Sequence, residues 1–119
     1  MRGIIDLKRI LFLSIAFMLF LLPSFVSAEK EKVVYFVPVE QSIEQGLFKF
    51  MERAFQEAEQ YEADAIFLKI NTPGGEIQAA NEIGQLIRNE KIPVIAYVEN
   101  EAFSAGTYLA LNADQIIMT

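Results

Sequence analysis

The sequence predicts an α/β fold in which a largely parallel sheet alternates with crossover helices. After residue 28, runs of β-branched and aromatic residues alternate with longer segments whose apolar residues recur at helical spacing, in the order βαβαβαβ. Such alternation is typical of parallel strands joined by right-handed crossovers. In addition, segments 71–75 and 101–107 each lie where a predicted strand gives way to a helix, where such folds gather backbone N–H groups.

Four strands are predicted from short runs of apolar, mostly β-branched or aromatic residues: 33–39, 65–70, 94–98 and 115–118. The first run contains almost no polar residue, which is typical of a buried strand of a parallel sheet.

Three helices are predicted between these strands. Ser42 followed by Gln45 matches a capping box that opens the first helix. The apolar face of that helix comprises Leu47, Phe50, Met51, Ala54, Phe55, Ala58 and Tyr61. The second helix carries a stripe of Ile77, Ala80, Ile83, Gly84 and Ile87 and ends before Pro93. The third runs from Ser104 to Leu111.

The first 28 residues have the pattern of an export signal. A basic start is followed by a nearly continuous apolar run over 10–22, then by Pro23 and the small residues of Val26-Ser27-Ala28. We expect residues 1–28 to be a cleaved signal peptide; the alternative is an uncleaved anchor over 10–28, which is just long enough to span a membrane. In both cases residue 29 onward is exported, as an extracytoplasmic or membrane-associated domain.

The exported part is acidic and has no disulfide framework. The whole chain has a net charge of −6, and the leader holds three basic residues and one acidic residue, so residues 29–119 carry −8. Such a surface argues against nucleic acid as a partner. The chain contains no cysteine, so its stability must come from the apolar core. No metal or other cofactor is expected.

Segment 71–75 (Asn-Thr-Pro-Gly-Gly) is predicted to supply an oxyanion donor. Gly74 and Gly75 lack Cβ atoms, so a substrate carbonyl can approach the main chain closely. By itself, a Pro-Gly-Gly sequence is more often an ordinary strand-to-helix turn. As a functional site, the turn would donate a main-chain N–H to the substrate carbonyl oxygen, and Gly74 is the candidate for contact with the substrate.

Ser104 is the candidate nucleophile. Serine at a helix start is usually an N-cap, but the small neighbours Ala105 and Gly106 leave space beside the hydroxyl, and the Ala105 N–H lies at the positive end of the helix dipole. Ala105 is thus the second predicted oxyanion donor. Phe103 is either a lid that contacts substrate or part of the core.

The base that would activate Ser104 is limited by composition. The chain has no histidine and no cysteine, so a Ser-His-Asp triad and a thiol nucleophile are both excluded, and a Ser-Lys dyad remains. Lys69, which alternates with apolar residues on a predicted strand, is the least implausible of the lysines. A salt-bridged or solvated strand lysine is nevertheless the favoured interpretation.

Four segments together resemble the ClpP-class serine protease domain of long NfeD proteins, the partners of stomatin-type membrane proteins. They are Val33-Val-Tyr-Phe-Val-Pro-Val39, Ala63-Asp-Ala-Ile-Phe-Leu-Lys-Ile-Asn-Thr-Pro-Gly-Gly75, Ile92-Pro-Val-Ile-Ala-Tyr-Val98 and Phe103-Ser-Ala-Gly-Thr-Tyr-Leu-Ala-Leu111. The resemblance covers nearly everything after the leader. It implies a ClpP/crotonase-like fold, with Ser104 as nucleophile and with Gly75 and Ala105 as oxyanion-hole donors.

The resemblance also implies substrates and partners. Substrates would be hydrophobic segments of proteins, a stomatin-like membrane protein would be a partner, and the full-length form would be a homo-oligomer. In that family the catalytic lysine follows the fourth strand. Residues 29–119 are therefore expected to be the N-terminal part of a ClpP-like serine protease domain, cut after its fourth strand and inactive alone.

Two other classes of function stay open at this stage. One is a non-catalytic remnant or scaffold that binds a membrane partner. The other is a crotonase-type acyl-CoA enzyme, which uses similar oxyanion geometry without a serine nucleophile. It ranks last, because an exported enzyme would lack that cytoplasmic substrate.

Export is expected to remove residues 1–28, because an apolar run and a helix-breaking Pro23 precede Val26-Ser27-Ala28. Intact-mass measurement after expression in a secreting host tests this prediction. A protein that still begins near Met1 and stays with the membrane would instead show an anchor.

Overall fold

The computed structural model describes residues 2–24 and 27–119 and divides into two compact units, Met1–Lys30 and Glu31–Thr119. The first unit contains helix α1 (Arg2–Phe20). Within the described ranges, no helix has both the length and the apolar character needed to cross a bilayer. Val26 of the predicted cleavage site lies outside the described residues.

The second unit is a four-stranded parallel sheet with one helix after each of its first three strands. Its elements are β1 (Val34–Ile43), α2 (Gln45–Gln60), β2 (Ala65–Gly75), α3 (Ile77–Asn89), β3 (Val94–Ala102), α4 (Ala105–Asn112) and β4 (Gln115–Met118). The strands lie side by side in the order β1-β2-β3-β4, and every neighbouring pair is parallel. The predicted parallel α/β fold with crossover helices is confirmed.

The core lies between the sheet and its helices. Alternate residues of the three long strands are fully buried, and they meet the buried faces of α2, α3 and α4. Because α3 contacts both α2 and α4, the three helices form one layer. The largest fully buried side chains are Phe55, Ile43, Met51, Ile66, Leu68, Ile70, Ile83 and Leu109.

The other face of the sheet is more open. Phe36 and Phe67 stack there with ring centroids 5.3 Å apart, and Lys69 lies two residues further along β2. The strictly alternating burial along β2 explains why Lys69 is half exposed between the buried Leu68 and Ile70.

Two sequence predictions about α2 and α3 were wrong in detail. The capping box does not form, because Ser42 belongs to β1, where it pairs with Gly74, and Glu44 occupies the N-cap position of α2. Ile77, expected in the core, is the first residue of α3 and is 79% exposed. The buried face of α3 contains Ala79, Ala80, Ile83, Gly84 and Ile87 instead.

Strands β1, β2 and β3 are each longer than predicted, and the extra residues form one end of the sheet. Segment 71–75 is not a turn but the last part of β2, where Gly74 and Gly75 pair with Ser42 and Ile43. The chain turns toward α3 only at Glu76, whose N–H donates to the Ile43 carbonyl at 2.8 Å. This pairing fixes the main chain of Gly75 against β1.

Gly75→Ala is expected to destabilise the fold strongly. A Cβ at residue 75 would lie 2.1 Å from the backbone oxygen of Ile43 and 2.5 Å from its nitrogen, and neither atom can move without breaking the β1–β2 pairing. We expect a loss of at least about 1–3 kcal/mol in the free energy of unfolding, measured by urea denaturation.

Gly46→Ala is the matched control. Its Cβ would make only an ordinary contact of 3.8 Å with a Glu44 carboxylate oxygen, at a position inside α2. Because alanine is the better helix former, the change should be neutral or stabilise by up to about 1 kcal/mol. Equal stability of the two variants would contradict the close approach of Gly75 to β1.

Candidate active site

The end of β2 and the loop between β3 and α4 meet closely. Gly74 has a positive φ of 109°, and a Cβ on it would lie 3.0 Å from Ser104 Cβ and 3.3 Å from the Ala105 nitrogen. The Phe103 N–H donates to the Thr72 carbonyl at 3.0 Å. The two segments singled out in the sequence therefore form one site, and Gly74 is the residue that lets them approach.

Thr72 joins three parts of this site. Its side chain is fully buried, and its hydroxyl donates to the Gln41 carbonyl and accepts the Gly74 N–H at 3.1 Å. Its methyl group lies so close to Gly106 that a Cβ there would approach it to 2.5 Å. One buried side chain thus connects the end of β1, the end of β2 and the start of α4.

Ser104 occupies a strained position directly before α4. Its φ of 49° and ψ of −119° lie in a region that residues with a side chain rarely adopt, at a cost of about 1–3 kcal/mol. Within the part of the chain that the structure describes, the Ser104 hydroxyl makes no capping bond to the helix. The side chain is exposed, so the hydroxyl is presented to solvent rather than used as a cap.

Both predicted oxyanion donors lie beside this serine. Ser104, Ala105 and Gly75 line one cavity of about 250 Å³, together with Ile77, Ala80, Asn81 and Tyr108. Ala105 is the first residue of α4, so its N–H has no partner within the helix. Such N–H groups, at the positive end of the helix, are suited to binding a developing negative charge.

The orientation of Gly75 follows from the ladder. Gly75 pairs with Ile43, and the Ile43 carbonyl accepts its bond from Glu76 rather than from Gly75. In a parallel ladder the groups of successive residues point alternately to the two neighbouring strands. The Gly75 N–H is therefore directed away from β1, toward the side on which β3 leads into Ser104.

The two predicted substrate contacts lie outside this cavity. Gly74 is buried and its N–H is bonded to Thr72. Phe103 is 61% exposed, so it is not part of the core, and it lines a second, apolar cavity of about 370 Å³ with residues that include Leu111, Ile116 and Met118. Contact of Gly74 and Phe103 with a substrate stays a prediction.

Lys69 is held in ion pairs on the open face of the sheet. Its ammonium lies 3.1 Å from a Glu99 carboxylate oxygen and 3.6 Å from one of Glu40. The hydrogen bond and charge of Glu99, helped by Glu40, raise the pKa of Lys69 although partial burial opposes this. A general base needs a lowered pKa, so the salt-bridged interpretation is confirmed.

Sequence reasoning missed four residues of the serine cavity: Ile77, Ala80, Asn81 and Tyr108. The spacing of these residues along the predicted helices could have indicated two of them. Asn81 lies four residues after Ile77 on α3, and Tyr108 lies four residues after Ser104, so each pair shares a helix face. A search for helical neighbours of the candidate nucleophile would have found Tyr108.

The fold is that of the ClpP class of α/β proteins. ClpP1 from Listeria monocytogenes matches 66% of this chain and 46% of its own, with a TM-score of 0.56 and 27% identity. The "1510-N membrane-bound stomatin-specific protease", solved as a lysine-to-alanine mutant in complex with a substrate peptide, matches 75% of this chain and 42% of its own. Its TM-score is 0.69 and its identity 37%.

The chain belongs to the family described as "NfeD1b, N-terminal domain", which matches residues 33–119. The membrane protein NfeD1b of Bacillus subtilis is 48% identical over 103 residues, which cover 86% of this chain and 24% of that protein. The membrane-bound protease PH1510 of Pyrococcus horikoshii is 36% identical over 94% of this chain and 25% of its own length. The chain thus spans about a quarter of the curated relatives it matches.

Glu99→Gln is expected to lower the pKa of Lys69 toward its ordinary value, because Glu99 contributes the largest part of the increase. Folding raises this pKa, so the ion pairs stabilise the folded chain at neutral pH, and that contribution is lost as the pH rises through the alkaline pKa. Side-chain NMR of Lys69 across the alkaline range measures the change.

Glu52→Gln serves as the control, because Glu52 lies on α2 and pairs with Lys49 at 3.1 Å. It should leave the Lys69 titration unchanged. A Lys69 amine that titrates near neutral pH in the unmodified chain would overturn its assignment as an ion-paired residue and would restore it as a candidate base.

Proposed function

We propose that this chain carries the nucleophile and the oxyanion hole of a membrane-associated, ClpP-class serine protease. The observation that carries the proposal is the position of Ser104: strained, uncapped and exposed, it shares a cavity with Gly75 and Ala105. A serine with strained backbone angles between a strand and a helix is typical of a nucleophile whose hydroxyl does not cap the helix that follows.

In the proposed reaction the Ser104 hydroxyl attacks the scissile carbonyl carbon and gives its proton to an amine base. The carbonyl oxygen becomes negatively charged and accepts hydrogen bonds from the N–H groups of Gly75 and Ala105. Collapse of this intermediate expels the amine half of the peptide, which takes up the proton, and leaves an acyl-enzyme. Attack by water then releases the second product and restores Ser104.

The base is proposed to be a lysine other than Lys69. Histidine and cysteine are absent from the sequence, and Lys69 is committed to Glu99 and Glu40. A lysine-to-alanine mutant of the related stomatin-specific protease was solved with a substrate peptide, which supports a Ser-Lys mechanism for the family. A lysine acts as a base when its surroundings lower its pKa.

The substrates are proposed to be hydrophobic segments of membrane-associated proteins, with a stomatin-like protein as partner. The relatives are described as a membrane protein and as a membrane-bound protease, and the solved relative as specific for stomatin. An apolar substrate suits a site flanked by exposed Ile77 and Phe103. Residues 1–28 are proposed to direct the domain out of the cytoplasm, and the working form is proposed to be a homo-oligomer.

Ser104→Ala and Ser104→Gly should both abolish hydrolysis of an apolar peptide taken from a stomatin-type protein, because each removes the nucleophile. They should differ in stability. Glycine tolerates the positive φ of residue 104, whereas alanine keeps the strain, so the glycine variant should be more stable than the alanine variant by about 1 kcal/mol. The protein is made from its complete reading frame, and peptide products and thermal unfolding are both measured.

Ser42→Ala is the control for hydrolysis, because Ser42 is an exposed serine of β1 outside the cavity. Its activity should equal that of the unmodified protein. Hydrolysis that survives in both Ser104 variants would exclude Ser104 as nucleophile. Peptide binding without hydrolysis by the unmodified protein would favour a non-catalytic scaffold.

A further inference from the structure

Tyr108 is held in place by a glycine on the neighbouring helix. A Cβ on Gly84 of α3 would lie 2.7 Å from Tyr108 Cε1 and 3.0 Å from its phenol oxygen. The aromatic ring therefore occupies the volume that any larger residue at position 84 would need. Gly84 is buried on the same face of α3 as Ala80 and Ile87, so the ring is set into the surface of that helix.

Arg88 holds the far end of the same side chain. Its guanidinium donates to the Tyr108 phenol oxygen at 3.2 Å and also to the Asn112 side-chain oxygen. Asn112 in turn donates to the Tyr108 carbonyl at 2.7 Å. Tyr108 is thus constrained at its ring, its hydroxyl and its main chain, by residues of both α3 and α4.

This constraint orients the ring relative to the serine cavity. Arg88 lies eleven residues after Ile77, about 16 Å further along α3. Ile77, Ala80 and Asn81 line the cavity in the first half of α3, whereas the phenol oxygen lies beside Gly84 and bonds to the Arg88 side chain. Tyr108 therefore borders the cavity, and its contacts with Gly84 and Arg88 fix where its ring and phenol oxygen lie.

The cavity has the size and lining of a side-chain site. Its volume of about 250 Å³ is below the 300–1,000 Å³ of typical pockets for whole small molecules. Ile77, Ala80 and the Tyr108 ring make it mainly apolar, and the Asn81 amide adds one polar group. Since Ser104 lies one helical turn before Tyr108, a side chain bound here belongs to a residue next to the attacked carbonyl.

We propose that Tyr108 determines which side chain is accepted beside Ser104, and that Gly84 and Arg88 are positioning residues for it. The preferred side chain is aliphatic and of medium size, such as leucine or methionine. This inference rests on the proposed protease function and adds the residue that sets its specificity.

Peptides that differ only at the residue before the scissile bond test the inference, with alanine, leucine or tryptophan at that position. The unmodified protein, made from its complete reading frame, should prefer leucine. Tyr108→Ala enlarges the cavity and should raise the ratio of kcat/KM for tryptophan over leucine by about tenfold or more. Tyr108→Phe keeps the ring but loses the bond to Arg88, so it should shift that ratio in the same direction as Tyr108→Ala and by a smaller factor.

The positioning residues have their own variants. Gly84→Ala forces the ring to move, so the tryptophan-to-leucine ratio should change in a protein whose circular dichroism is native. Arg88→Met should shift the ratio in the same direction, and Arg88→Lys, which retains a donor, should restore it in part. If these variants lower kcat but leave the tryptophan-to-leucine ratio of kcat/KM constant, Gly84 and Arg88 have only a structural role and their assignment as positioning residues is wrong.

Leu111→Ala is the matched control, because it is also a large-to-small change on α4 but lines the second cavity. It should leave the ratio unchanged. If Leu111→Ala moves the ratio and Tyr108→Ala does not, the side-chain site is the second cavity and the proposal is wrong.

Binding separates this inference from the proposed function. In the Ser104→Ala background, calorimetry with the same peptides should show the same order of Kd values and the same effect of Tyr108→Ala. Selective binding without hydrolysis by the unmodified protein would support the cavity assignment and refute catalysis. If peptides are hydrolysed but the tryptophan-to-leucine ratio of kcat/KM is the same in Tyr108→Ala, the protease proposal stands and the inference is refuted. Neither binding nor hydrolysis would refute both.

Discussion

The site depends on the hydrogen bonds and packing of one buried threonine. Thr72 bonds to the main chain of Gln41 and Gly74 through its hydroxyl, accepts the Phe103 N–H through its carbonyl, and packs its methyl group against Gly106. A buried hydroxyl that is fully bonded both stabilises and fixes its partners. The Thr72 side chain thus adds one shared contact to three main-chain segments that are otherwise joined only by strand pairing.

That attachment allows Ser104 to remain strained. The residue adopts backbone angles that disfavour a side chain, and the free energy needed to hold it there comes from the surrounding sheet and helix. The Ser104 carbonyl accepts hydrogen bonds from the N–H groups of Thr107 and Tyr108. The main chain of Ser104 therefore takes part in the hydrogen bonds of the helix, while its side chain does not. A serine in the ordinary cap geometry would have its hydroxyl turned to the helix and away from the cavity.

Sequence patterns predicted the fold well because the strands and helices differ clearly in their periodicity. The strand over 115–118 and the alternation of elements agree with the structure. The longer ends of β1 and β2 were not predictable from local preference, because Pro73, Gly74 and Gly75 ordinarily mark a turn and are extended here only through pairing with β1. Long-range pairing overrode the local signal.

The contrast between local signals and long-range contacts also holds for the candidate site. Ser104, Gly75 and Ala105 are recognisable from small residues at strand-to-helix junctions, and the structure brings them to one cavity. Tyr108 could not be assigned from its type, because an aromatic residue at helical spacing from apolar neighbours is ordinarily core. Its distinct position depends on Gly84 and Arg88, which lie 24 and 20 residues earlier in the chain.

The approach of Gly75 to β1 has an evolutionary consequence. The proposed oxyanion donors are main-chain groups, so most substitutions near them leave those atoms in place, and those that displace them also disturb the sheet. The side chains of Ile77 and Asn81 line the same cavity but lie exposed on α3, where more residue types can be accommodated. The architecture therefore lets a lineage alter what it recognises while the atoms that would perform the reaction are inherited unchanged.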